Sequence, residues 1–306
     1  MAKLRRNYES KGKAASGGTI TKVGIFGAIL AGLVYLFNTF GGDAPIAGQP
    51  TVPDARIDYA GESYYLPSGT RGQVIARDGF TLSYDEEWEQ AEWVAYVLER
   101  KNLQQKWGER PRNFRTDPEV STGSASDADY RGSGYDRGHL APFADFAWND
   151  DLARETFYLS NISPQARQFN QGVWRELEEL TRDWANRFKR LYVVTGPVMT
   201  QDPKGTIGRQ NRVAIPAAYY KILLDLDDPE QKGIAFVIPN EISFDPLPKY
   251  VVSIDEAERL TGIDFFPQLM PEDLEARLES NSNPDLWPFS KKKYDRRINS
   301  WNNVRN

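Results

Sequence analysis

The 306-residue chain contains a single histidine, His139, and no cysteine. The histidine lies in YDRGHLAPFADF, residues 135–146, two positions after Arg137 and just before a Leu-Ala-Pro turn. An imidazole has an unperturbed pKa of about 6.5, so it can take a proton near neutral pH. The absence of cysteine removes thiol nucleophiles, disulfides and Cys-based zinc sites, and one histidine excludes HExxH and any site needing two imidazoles. A lone histidine with arginine, asparagine and glutamate around it does fit phosphodiester hydrolysis. That reaction sets an attacking water in line with a poor alkoxide leaving group and adds negative charge to the phosphate oxygens, so it needs a base, cations and usually a metal. Arginine offers a planar fork to phosphate oxygens. Mg²⁺ suits a site short of protein ligands, because it keeps most of its waters and accepts one or two oxygen donors.

These groups need elements to hold them. GQVIARDGFTLSYDEE carries two β-rich runs around Asp78-Gly79, a hairpin signal, and AEWVAYVLE continues as a strand. LYVVTGPVM, YYKILLDL and GIAFVIPN are three further strands, each bounded by turn formers. Between them NQGVWRELEELTRDWANRF places Val173, Trp174, Leu177, Leu180, Trp184 and Phe188 three or four residues apart, the mark of a helix with one buried stripe. A second helix is expected from Ser253, with Glu256 completing a capping box. Strands mixed irregularly with few helices indicate an α+β domain.

Taken together, YDRGHLAPFADF resembles the DRGH motif of the DNA/RNA non-specific endonucleases. RNFRTDPEV from Arg112 is similar to that family's segment with a phosphate-binding arginine. YLSNISPQ and FNQGVWRELE resemble its asparagine and metal-binding stretches, in the same order, and VSIDEAERLTGIDFF (252–266) resembles the C-terminal part of the endonuclease G branch. The resemblance spans about residues 70 to 270, and five ordered segments are far more specific than one four-letter motif. It implies the ββα-metal fold: a central antiparallel sheet flanked by helices, with the histidine strand and the metal-binding helix packed as one unit. It further implies that His139 is the general base, that Asn170 is the direct protein ligand of Mg²⁺ (with Mn²⁺ an acceptable substitute), and that Glu178 holds the metal's waters. Arg112 and Arg137 would contact the scissile phosphate or its neighbours, and Asn161 would order the site beside them. Singly, each residue has a plainer reading. Arg112 and Arg137 would serve as surface ion-pair partners, Glu178 as a partner of Arg175 or Arg182, Asn170 as a helix N-cap and His139 as a satisfied core histidine. Their joint order and spacing favour the site.

The implied activity is metal-dependent, sugar-non-specific endonucleolytic hydrolysis of DNA and RNA. Two alternatives are a phosphodiesterase acting on another phosphate ester and a catalytically silent membrane-tethered binding module. The family also contains dimers, so a homodimer is compatible with the resemblance. Charge sits at odds with a polyanion as substrate: residues 1–22 and 291–306 each carry +5, which leaves −15 on residues 23–290 for the total of −5. A local positive cleft of Arg110, Arg112, Arg115, Arg131 and Arg137 is therefore expected.

At the N-terminus a basic leader (1–22) precedes an 18-residue apolar run (23–40), narrowly long enough to cross a bilayer. An anchor is favoured over a cleaved signal peptide, and the flanking lysines and arginines predict a cytoplasmic leader with the remainder, periplasmic or extracellular, across the membrane. Residues 41–61 read as a Gly/Pro-rich linker, 62–290 as the endonuclease domain, and 291–306 as a basic tail. That tail either grips nucleic acid, lipid or a partner, or is a solvated terminus.

Overall fold

The computed structural model describes residues 64–227 and 229–303. The leader, the apolar run at 23–40 and the linker lie outside the described residues, among which no helix is long and apolar enough to cross a membrane. The scaffold is a seven-stranded, wholly antiparallel sheet. Its strands are β1 (Gln73–Ala76), β2 (Thr81–Asp85), β3 (Gln90–Glu99), β6 (Arg190–Pro197), β9 (Ala218–Asp225), β10 (Lys232–Pro239) and β11 (Val251–Val252), in that spatial order. The Asp78-Gly79 hairpin and the four longer strands form as the sequence indicates, because their β-branched and aromatic residues alternate between two buried faces. One face carries Val94, Tyr96, Val193, Leu223 and Phe236; the other carries Trp93, Ala95, Val194, Ile222 and Val237.

Helix α1 (Arg175–Phe188) covers the first face with Leu177, Leu180 and Trp184, the stripe expected from its spacing. Its N-terminus differs from the expectation. Phe169–Trp174 is a wide π-helical turn, and Gly172 leaves helical geometry at φ −109, ψ −107. A Cβ on Gly172 would lie 2.7 Å from Asn302 Oδ1, so a packed side chain from the C-terminus occupies the space of the missing one. Helices α2 (Ile254–Thr261) and α3 (Glu272–Glu279) cover the second face through Ile254, Ala257 and Leu278. Only half of the expected capping box forms: Ser253 Oγ accepts from the Glu256 N–H at 3.0 Å, while the Glu256 carboxylate pairs with Arg259 at 2.6 Å.

The basic tail folds. Residues Lys291–Asn299 form helix α4, which lies against α1, and Arg297 is wholly buried with its Nε 2.7 Å from Glu176 Oε2. Two four-residue strands, β4 (Asp136–His139) and β5 (Ile162–Gln165), make a separate antiparallel ribbon that sequence patterning does not reveal, and β7 (Thr206–Ile207) and β8 (Val213–Ala214) pair as another. The β4–β5 ribbon is tied to the main sheet by buried side chains. Ser163 Oγ bonds Gln90 and Tyr219, and Asn240 Nδ2 donates to the Pro164 carbonyl at 3.0 Å.

Candidate active site

Strand β4 joins both halves of the site. Residues two apart on a strand share a face, so Arg137 and His139 point one way and Asp136 the other. Asp136 Oδ2 accepts from Asn170 Nδ2 at 3.0 Å and from Gln171 Nε2 at 2.9 Å, and Arg167 Nε lies 3.3 Å from its Oδ1. This clamp uses the nitrogen end of the Asn170 amide and so turns its oxygen into the acceptor available to a cation. Asn170 is not a helix N-cap; it stands in the π-helical turn, and Trp174, already helical, precedes α1. Gly138 is required between the two ends, since a Cβ there would come within 2.1 Å of the Gln165 side chain packed across it.

His139 is buried in an aromatic cage. Its ring centroid is 4.9 Å from Phe157 and 5.5 Å from Phe114, and its Nε2 is buried without a hydrogen-bond partner. Burial, and secondarily the Arg110 guanidinium, push its pKa down to about 3, so the ring is neutral at physiological pH. A satisfied core histidine would have filled Nε2 with a bond. Asn161 holds this arrangement from beneath. Its Oδ1 accepts from the Ala141 N–H, its Nδ2 donates to the Ala141 and Thr156 carbonyls, each at 2.9 Å, and its own carbonyl accepts from Leu140 N–H at 3.0 Å. With the amide wholly committed to backbone, Asn161 is a positioning residue that fixes the chain on either side of the cage.

Glu178, in the first turn of α1, leans back toward the helix start as helical side chains do. It is not an ordinary helix-surface partner: Arg175 pairs with Glu179 at 3.1 Å and Arg182 with Asp145 at 2.9 Å. Burial pushes the Glu178 carboxyl up to about 7, opposed by Arg182 and Lys221. Lys221, on the interior strand β9, is fully buried with Nζ unpartnered by hydrogen bonds and 5.1 Å from the Trp174 ring centroid; burial draws its ammonium down to about 8. Tyr96 completes this floor by donating to Asp145 at 2.8 Å.

The arginines are distributed differently from the expected cleft. Arg110 stacks over Phe143 and Phe157, at 5.1 Å from each ring centroid, and acts electrostatically on both His139 and Glu178. It is the arginine the structure brings to the histidine. Arg112, two residues on, is exposed and makes no hydrogen bond or ion pair among the described residues. Arg137 flanks the other side of Phe114 at 5.7 Å, with Nη2 paired to Asp127 Oδ1 at 2.7 Å; Arg131 shares that carboxylate at 3.1 Å. Arg115 stacks over Tyr158 and donates to the Arg154 carbonyl at 3.0 Å. Arg110 and Arg137 thus lie over the adjacent rings Phe157 and Phe114, Arg131 and Arg137 share Asp127, and the side chains of Arg115 and Arg112 make no contact with these groups among the described residues. Arg110 was recognisable only as a member of a basic run, and Asp136, the clamp, only as the first letter of the DRGH motif.

The donor types fit a largely hydrated divalent cation: an amide oxygen on Asn170, whose nitrogen is committed to Asp136, and a carboxylate, Glu178, in the first turn of the helix that follows. Among the described residues, the acidic trio whose oxygens lie within 4.8 Å of one another is Asp255, Glu258 and Glu279, on α2 and α3, and Glu178 is not part of it.

The sequence pattern of the DNA/RNA non-specific endonuclease family matches residues 60–272. Human mitochondrial endonuclease G is 34% identical over 219 residues, covering 68% of this chain and 73% of the relative. Mitochondrial nuclease EXOG of Danio rerio is 36% identical over 239 residues, 73% of this chain and 70% of the relative. Nuclease C1 of Cunninghamella echinulata var. echinulata is 34% identical over 216 residues, 66% and 85% respectively. In three dimensions the chain is similar to the crystal structure of the EndoG/EndoGI complex, which concerns EndoG inhibition, with a TM-score of 0.62 and 30% identity over 67% of this chain and 89% of that one.

Proposed function

This chain belongs to the DNA/RNA non-specific endonuclease family of metal-dependent hydrolytic nucleases, and from that premise we propose that its ββα-metal unit cleaves DNA and RNA with His139 as general base and Asn170 as the ligand of Mg²⁺. The observation that carries this reading is the single strand β4, which fixes Asn170 through Asp136 at one end and ends in a neutral, unpartnered imidazole at the other.

His139 takes the proton of a water directed at phosphorus, and burial in the aromatic cage keeps the imidazole neutral and so able to accept it. Arg110 and Arg137 meet the charge that builds on the phosphate oxygens; Arg137 exchanges Asp127 for the phosphate or shares both. Asn170 Oδ1 and Glu178 would hold a divalent cation and its waters, and that cation would supply positive charge that eases departure of the alkoxide. Binding a phosphate beside Arg110 also cancels the repulsion that lowers the imidazole's basicity, so substrate itself makes His139 a stronger base. The basic leader and the apolar run at 23–40 support tethering to a membrane with the nuclease outside the cytoplasm; resistance of the full chain to carbonate extraction tests that arrangement.

The activity test uses the full chain on supercoiled plasmid and on RNA, with Mg²⁺, with Mn²⁺ and with chelator. Both polymers are cut with metal and neither with chelator, and His139→Ala loses about 10²- to 10⁴-fold in rate. Chelator-resistant cutting or an active His139→Ala chain overturns the mechanism, and turnover of a small phosphodiester with both polymers intact moves the substrate elsewhere.

A further inference from the structure

We propose that Trp107 is a stacking platform for an unpaired nucleobase, part of a single-strand subsite leading to the His139 cage; the proposal rests on the nuclease reading above. Trp107 is 51% exposed, one of three large hydrophobic side chains at the surface among the described residues. It is also held firmly. The adjoining Gly108 N–H donates to the Ala147 carbonyl at 2.6 Å, and a Cβ on Gly108 would stand 2.0 Å from Asp150 Oδ1, so the backbone packs closely against the segment that carries Phe143. An exposed indole on an anchored backbone, with only two side-chain torsions to fix, presents contact area at little conformational cost.

Its neighbours point to the ligand. Trp107 meets Phe143 edge-on at 6.3 Å, Phe143 meets Phe157 at 6.2 Å, and Phe157 meets His139 at 4.9 Å. Arg110 lies across the middle pair of rings. The same short stretch supplies Lys106, Arg112 and Arg115, so aromatic faces and cations interleave along one loop. That combination suits a single strand, whose phosphates follow the cations while a splayed base stacks on the indole. In a duplex the bases are already stacked on each other, leaving no face for Trp107.

The test measures binding of a labelled oligothymidylate, and of its duplex with oligodeoxyadenylate, to the full chain carrying His139→Ala, alone and combined with Trp107→Ala or Trp107→Phe. Binding the single strand quenches tryptophan emission in the His139→Ala chain. Adding Trp107→Ala weakens single-strand affinity by about five- to a hundred-fold, removes most of the quench, and leaves duplex affinity within about twofold; Trp107→Phe restores most of the loss. Single-strand affinity unchanged in Trp107→Ala, or an equal loss for single strand and duplex, overturns the proposal. A His139→Ala chain that still cuts defeats the general-base reading alone, because the stacking measurement is one of binding. Where Trp107→Ala fails to fold by circular dichroism, Trp107→Leu, which keeps apolar volume without a π-face, gives the same decision.

Discussion

Two places where charged or polar groups are buried treat them in opposite ways. At the C-terminus, Arg297 has a charge partner and two acceptors: Nε lies 2.7 Å from Glu176 Oε2, Nη1 donates to the Ser243 carbonyl at 3.1 Å, and Nη2 donates to the Asp245 carbonyl at 2.6 Å. Around β4, by contrast, His139 Nε2, Lys221 Nζ and both amide atoms of Gln165 are buried with no hydrogen bond. An unfilled buried polar group costs on the order of 1–3 kcal/mol, so each of these atoms is a position where water, substrate or a cation would be stabilised. The Arg297 guanidinium is held by an ion pair and two carbonyls, whereas the imidazole Nε2 of the proposed site has no such partner.

That contrast breaks most readily through His139. His139→Ala removes activity by about 10²- to 10⁴-fold in a plasmid-nicking assay, yet changes the urea midpoint less than any change to Arg297 does. Arg297→Ala has the opposite profile. It strands Glu176 as a buried charge and destabilises by about 3–5 kcal/mol in urea titration, while correctly folded molecules below the transition keep cutting. An Arg297→Ala chain as stable as the parent would mean that α4 is an appendage. Next in size, Asn161→Ala leaves buried backbone groups unpaired at Ala141 and Thr156, and loses about 2–4 kcal/mol of stability together with activity.

Acid sharpens the comparison. His139 is held near 3 when folded and reverts to about 6.5 when unfolded, so between those values the unfolded chain binds the extra proton. Its contribution to stability is complete above pH 6.5 and is lost as pH falls toward 3. His139→Phe, which cannot titrate, therefore loses less stability than the parent between pH 6.5 and 4. The smallest effect is electrostatic: Arg110→Gln removes a repelling charge and raises the His139 pKa, though burial, the larger cause, keeps it below 6.5. Because the chain has one histidine, a single imidazole proton resonance reports this directly in an NMR titration. A resonance unmoved by Arg110→Gln would separate Arg110 from the site.

Much of the scaffold was legible in local sequence. The long strands and the stripe of α1 declare themselves through periodicity, because each buries a face whose residues recur at 2.0 or 3.6 positions. The four-residue strands β4 and β5 do not, since they are too short to show a period and their pairing depends on Gln90, Tyr219 and Asn240 from distant strands. The tail was ambiguous for a related reason: its lysines and arginines read as solvated until Glu176, over a hundred residues away, is placed against Arg297. Among the site residues, Arg110 and Arg112 are equivalent by type and nearly by position, and only the packing of Phe143 and Phe157 separates them.

The amino-acid sequence by itself determined the chemical repertoire: one imidazole as the available base, no thiol, and an asparagine and a glutamate spaced across the start of a helix. These are properties of residue type and short spacing, which survive without a fold. Tertiary structure alone decided which arginine faces the histidine, which end of the Asn170 amide is left for a cation, and that the imidazole is neutral, because each depends on burial and on charges brought together from segments far apart in the chain.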